Sequence, residues 1–145
     1  MISKLLNYLE NKKILILGFG VEGKSTYKFL RRNFPKMNLT ICDSNEIDIN
    51  SLENVEILQG EEYLERINDY DIIMKSPGIS FKDIDITNFK EKIKSQIELL
   101  LEFVDVFTIG ITGTKGKSTT SSLIYEVLKE QNRNAILLGN IGTPI

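Results

Sequence analysis

The residues best suited to chemistry lie between Ile109 and Thr119, in Ile109-Gly110-Ile111-Thr112-Gly113-Thr114-Lys115-Gly116-Lys117-Ser118-Thr119. Glycines let a backbone turn so that successive N–H groups face one anion. A following helix start adds partial positive charge, and a lysine and a hydroxyl serve terminal phosphates and Mg²⁺. Lys117 is the candidate point charge, and Ser118 the candidate hydroxyl on the metal side. Gly113, Thr114, Lys115, Gly116 and Thr119 complete the candidate phosphate loop. The strict pattern G-x-x-x-x-G-K-S/T is not met, because Ile111 stands where its first glycine belongs; what remains is T-G-T-x-G-K-S. A glycine-rich turn that merely starts a helix, with Lys117 solvated, is the other reading of these residues.

A second glycine turn, Gly18-Phe19-Gly20-Val21-Glu22-Gly23, fits G-x-G-x-x-G directly after an apolar run, and Asp43 follows at the end of the next apolar run. That spacing suits a dinucleotide, with Asp43 on ribose hydroxyls, and on its own suggests an NAD-dependent oxidoreductase. Tight helix–sheet packing without a ligand is the alternative. Glu22 is awkward for any phosphate reading, since a carboxylate repels an anion unless it points away; Lys24 could offset it. Lys75-Ser76-Pro77-Gly78-Ile79 adds a proline-stiffened loop, which is either a ligand-side loop or a plain turn.

Elements must position these loops. Ile14-Leu15-Ile16-Leu17 reads as a strand, and Tyr27, Leu30 and Phe34 recur at helical spacing up to Pro35. Leu39 to Cys42 supplies the next strand, completing a β-α-β unit that demands parallel pairing and a right-handed crossover. Val55–Leu58, a helix over Gly60–Arg66 and a strand over Asp71–Met74 continue the alternation. Ile84 to Lys94 reads as a short helix and a last strand at 92–94. From Ser95 a second unit is expected: a helix over Ile97–Phe103, a strand over Val106–Ile111, and a helix from Lys117 to about Gln131 with Leu123, Ile124, Val127 and Leu128 on one face. A strand over Ala135–Leu138 closes it. The fold class is therefore α/β, with a first domain at 1–94 and an incomplete second at 95–145. So little sheet in the second suggests the front end of a longer protein, with an edge after Leu138 open to pairing between chains.

Composition removes other classes. The chain has 145 residues, 18 Lys+Arg against 20 Asp+Glu, and a net charge of −2, which disfavours binding nucleic acid or anionic membrane by bulk charge. With 41% hydrophobic and 26% charged residues, a packed core is expected. There is no histidine and only one cysteine, Cys42, so Cys/His zinc sites, Ser-His pairs and internal disulfides are excluded. No apolar run approaches the roughly 18 residues of a membrane span, and the start, MISKLLNYLENKK, lacks a signal-peptide pattern; a cytoplasmic location is expected.

Taken together, Gly18–Ser25, Ser76-Pro77-Gly78-Ile79, Ile97-Glu98-Leu99, Ile111–Thr119 and Gly139-Asn140-Ile141-Gly142 resemble the Mur ligases in order and spacing over essentially the whole chain, and most closely the branch that adds D-glutamate in peptidoglycan synthesis. The resemblance implies a Rossmann-like first domain for the UDP part of UDP-N-acetylmuramoyl-L-alanine and a P-loop-type second domain for ATP and Mg²⁺. It places Gly18, Phe19, Gly20 and Val21 against the pyrophosphate, Asp43 and Ser44 toward the uridine, and Ser76, Gly78 and Asn140 toward the sugar and its peptide arm. It also implies acyl-phosphate chemistry with D-glutamate as the attacking amine, and no NAD. Other Mur-type ligases share the ATP loop. The family's histidine and modified lysine have no counterpart here, so this chain is expected to bind without turning over. Glu22 and Lys115 depart from the family pattern at the two loops.

Overall fold

The computed structural model describes residues 2–139. They form two compact units, divided between Asp105 and Val106. In the first, strands β1 (Ile14–Leu17), β2 (Leu39–Asp43), β3 (Val55–Gln59), β4 (Ile72–Lys75) and β5 (Ile93–Lys94) make one sheet in the order β3-β2-β1-β4-β5. Every pairing is parallel, with Ile16 level with Ile41 on one side and Met74 on the other. Helices α1 (Ser3–Leu9), α2 (Val21–Asn33) and α3 (Gln96–Phe103) belong to this unit, and α4 (Lys117–Glu130) to the second.

Period-two alternation along the strands builds two cores. Ile14, Ile16, Leu39, Ile41, Ile72 and Met74 point to one face, where Tyr27 and Leu30 of α2, Leu5 and Leu9 of α1 and Leu99 of α3 cover them. Leu15, Leu17, Cys42, Leu58 and Ile73 point to the other and meet Tyr63, Ile67, Tyr70 and Phe89. A strand buried on both faces must be apolar throughout, which is why β1 reads ILIL.

Three sequence expectations change. The segment Gly60–Arg66 is not a helix: single 3₁₀ turns at Glu62–Leu64 and Ile67–Asp69 replace it. It is too short to hold an α-helix by propensity, so the burial of Tyr63, Ile67 and Tyr70 against the sheet sets its path. The helix over 96–103 packs with the first unit, which reaches past the expected limit at residue 94 to Asp105. Leu99 enters the core, Tyr8 stacks on Phe103 at 4.6 Å, and a reciprocal Ser95–Glu98 capping box starts the helix. Finally, the strands expected over 106–111 and 135–138 are absent among the described residues, apart from a lone bridge at Leu138. A strand needs neighbours for its N–H and C=O groups. No ladder reaches this stretch, and Phe107 is 93% exposed. The sheet edge expected after Leu138 is accordingly not formed among the described residues.

Candidate functional site

The chain leaves β1, builds β2 and β3 on one side, and returns to place β4 on the other side of β1. The loops after β1 and β4 therefore diverge, and a crevice opens at the carboxyl ends of the strands. Gly18 makes the turn out of β1 at φ +90, its N–H donating to the Cys42 carbonyl at 2.8 Å. A Cβ on Gly18 would lie 2.9 Å from the Ser76 Cβ, so conformation and space both require glycine. Ser76 closes the floor: its N–H donates to the Leu17 carbonyl at 2.9 Å and its Oγ to the Gly18 carbonyl at 3.0 Å. Gly20 precedes the first turn of α2 with open space around it. Gly23, inside that helix, has the opposite surroundings: a Cβ there would sit 2.0 Å from the Gly18 carbonyl oxygen.

Asp43 ends β2 and is wired to the same turn. Its Oδ2 accepts the Phe19 N–H at 2.6 Å, and its Oδ1 accepts the backbone N–H and side-chain amide of Asn45 at 2.8 and 2.9 Å. Burial pushes the carboxyl upward, but the N–H groups of Phe19, Asn45 and Ser44 outweigh it and hold the group below the usual carboxylate range. Asp43 thus enters the site ionised and already hydrogen-bonded. Cys42 beneath it is fully buried; burial pushes its thiol up to about 11, and Sγ donates to the Gly60 carbonyl at 3.2 Å. It is packing, not a nucleophile.

A cleft of about 410 Å³ lies over this floor, within the usual size range of small-molecule sites. Gly18, Gly20, Val21, Asp43, Ser44, Ser76 and Gly78, all singled out from sequence, line it together. Phe19 does not: its ring packs edge-on to Tyr27 at 6.1 Å and its N–H is taken by Asp43. Pro77 and Ile79 also line the cleft, as do Glu22 and Asn45. Sequence reasoning missed Asn45, although its place two residues after Asp43 is the spacing of an Asx turn.

The second unit holds the other loop. Gly113 (φ +150) and Gly116 (φ +77) bracket a bend that ends where α4 begins, and no side chain caps that helix start. Thr120 N–H donates to the Gly116 carbonyl at 2.9 Å, and Lys117 Nζ folds back onto the Gly113 carbonyl. Residues 112–120 are all exposed. An uncapped helix start, a lysine across the loop and the hydroxyls of Ser118 and Thr119 suit a phosphate chain with its Mg²⁺. No cluster of three or more metal-ligating side chains exists among the described residues, so a cation here would lean on phosphate oxygens and a hydroxyl. On α4, Ile124 and Leu128 are half-buried while Leu123 and Val127 are exposed. Asn140 lies outside the described residues.

Residues 12–99 match the family described as "Mur ligase MurD-like, N-terminal domain". The chain is also similar to proteins named UDP-N-acetylmuramoylalanine–D-glutamate ligase: 31% identical to one from Clostridium botulinum and 28% to one from Clostridium acetobutylicum. Each alignment covers 99% of this chain and 33% of the relative, so the chain spans about a third of the length of the curated relatives it matches.

Proposed function

Because the chain belongs to the Mur ligase family through its MurD-like N-terminal domain, we propose that its first unit holds UDP-N-acetylmuramoyl-L-alanine by the UDP end and that Gly113–Thr119 hold ATP and Mg²⁺. The protein is then the cytoplasmic ligase that joins D-glutamate to that sugar nucleotide in peptidoglycan synthesis. One observation carries the reading: the glycine turn, the Asp43–Ser44 corner and Ser76–Gly78 converge on a single cleft at the carboxyl edge of the sheet. The UDP-linked substrate in the relatives' name supports a sugar nucleotide over NAD there.

The chemistry explains why two anion sites are needed. A carboxylate resists attack by an amine, because its charge repels the nucleophile and its oxygen leaves poorly. Transfer of the γ-phosphoryl breaks the bond to ADP and forms an acyl phosphate on the L-alanine carboxylate. The D-glutamate amine then attacks the carbonyl carbon, inorganic phosphate leaves, and the nitrogen sheds a proton. Lys117 neutralises charge spreading over the transferred group, a role in which one contact supplies about 3 kcal/mol or more. Ser118 is proposed to reach the cation, and Gly113, Thr114, Lys115, Gly116 and Thr119 to cradle the phosphates. When bound, Mg²⁺ draws charge off the phosphate oxygens. Activity is proposed for the full-length protein; the 145-residue chain is proposed to bind only.

Calorimetric titration of the chain with UDP-N-acetylmuramoyl-L-alanine and, separately, NADH tests this. Saturable binding of the sugar nucleotide with little heat from NADH is expected; tighter NADH binding would overturn the assignment.

A further inference from the structure

Glu22 is out of place in a cleft built for phosphate. It is the second residue of α2, half-buried, and it lines the cleft beside Gly20. Its carboxylate has no ion pair or hydrogen bond among the described residues. The turn that carries it is fixed: Gln96 Nε2, from α3, donates to the Glu22 carbonyl at 3.0 Å and to Thr26 Oγ1 at 2.8 Å. Lys24, the nearest cation in sequence, is exposed and makes no ion pair among the described residues to cancel the charge. A carboxylate with no ion-pair partner among the described residues therefore stands at the helix start that would receive the diphosphate, where only the helix start itself and Lys75, held on the Ser76 carbonyl at 3.2 Å, offer positive charge.

We propose that Glu22 is a specificity residue: it lets the cleft accept a diphosphate that is esterified at both ends and disfavours one that ends in a free phosphate. The proposal rests on reading the cleft as a sugar-nucleotide site. In a sugar nucleotide each phosphate carries one negative charge, whereas a terminal phosphate near neutral pH approaches two. The repulsion from Glu22 scales with that charge, so it falls hardest on UDP and on ATP. The same chain is proposed to use ATP at its other loop, and a carboxylate at the first cleft keeps that abundant ligand from competing there. The glycine turn alone cannot discriminate in this way, because backbone N–H groups welcome any phosphate oxygen.

Removing the charge should follow Coulomb scaling. With the distal phosphate about 6 Å from the carboxylate in a water-like dielectric, one unit of charge on that phosphate changes affinity by roughly three-fold, and two units by roughly ten-fold. The test is calorimetric titration of the 145-residue chain and its Glu22→Gln, Glu22→Ser and Glu22→Asp variants, at low ionic strength without divalent cations, with UDP and with UDP-N-acetylmuramoyl-L-alanine. Both neutral variants are expected to bind the sugar nucleotide about three-fold tighter and UDP about ten-fold tighter, a gain that shrinks as salt is added. Glu22→Asp keeps the parent ratio. Circular dichroism checks folding, and either neutral variant suffices. Equal gains for the two ligands, or weaker binding of either, would remove Glu22 from this role while leaving the sugar-nucleotide site standing. Failure of the parent chain to bind the sugar nucleotide at all would overturn the site and this proposal with it.

Discussion

Gly23→Ala and Gly20→Ala are chemically the same change made three residues apart, and the structure assigns them opposite outcomes. At Gly23 the new methyl would lie 2.0 Å from the Gly18 carbonyl oxygen and 3.0 Å from its carbon, against 3.4 Å or more for ordinary contact. Gly18 cannot yield: it sits at φ +90, its N–H is held by Cys42 and its carbonyl by Ser76. Helix α2 must therefore back away by more than an ångström, loosening Tyr27 and Leu30 against the sheet. Overpacking of this kind costs about 1–3 kcal/mol, and the loosened contacts add about 1–2 kcal/mol. Replacing a helical glycine by alanine returns up to ~1 kcal/mol. The net expectation is a loss of about 1–5 kcal/mol. At Gly20 nothing lies within 4 Å of the added methyl, so the loss should be limited to about 1 kcal/mol, the preference for glycine over alanine at the helix N-cap it occupies. Gly20 lines the cleft, however, and binding of the sugar nucleotide should weaken. The chain has no tryptophan, so urea unfolding followed by circular dichroism is the assay. Gly23→Ala unfolding at the same urea concentration as the parent would refute the packing argument.

Three further expectations follow from other parts of the fold. Arg31 donates to the carbonyls of Phe34, Pro35 and Met37 through one guanidinium nitrogen and to those of Glu53 and Asn54 through another, over the Tyr27 ring. Lysine cannot fork in this way, and Arg31→Lys should cost about 2 kcal/mol in urea unfolding. Asp43 has a folded-state pKa below its unfolded one, so its contribution is complete above about pH 4 and is lost as pH falls through the lower folded value. Asp43→Asn should accordingly lower the melting temperature at pH 7 and narrow the difference between pH 7 and pH 3; an unchanged difference would count against the hydrogen-bond account. Cys42, buried with its thiol pushed up to about 11, should resist a thiol reagent at pH 8 until denaturant is added, and rapid native labelling would contradict its placement.

The first unit was largely legible because its signals are local. Ile14–Leu17 is apolar at every position, as a doubly covered parallel strand must be, and the β-α-β spacing through Asp43 fixes parallel order. The convergence of Gly18, Asp43 and Ser76 followed from the rule that such sheets bind at their carboxyl edges. What the sequence hid were contacts between residues far apart in the chain. Nothing around Asp43 indicates that its carboxylate would be taken by the Phe19 N–H, 24 positions away. Nothing in Arg31 marks it as the clasp on the β2–β3 connection, nor in Gln96 as the tie to Glu22. The helix expected over Gly60–Arg66 failed because tertiary burial outweighed a weak local preference. The strand expected over Val106–Ile111 failed differently: its residue types suit a sheet, but a ladder depends on partners that a local pattern does not report.

The two cradles should each take a different phosphorylated ligand. Amide-resolved NMR of the ¹⁵N-labelled chain tests it most directly. Titration with UDP-N-acetylmuramoyl-L-alanine should move the amides of Gly18, Gly20, Val21, Ser44 and Gly78 and leave Gly113–Thr119 in place, while ATP with Mg²⁺ should do the reverse. Both ligands perturbing the same set, or the sugar nucleotide perturbing neither, would contradict the account.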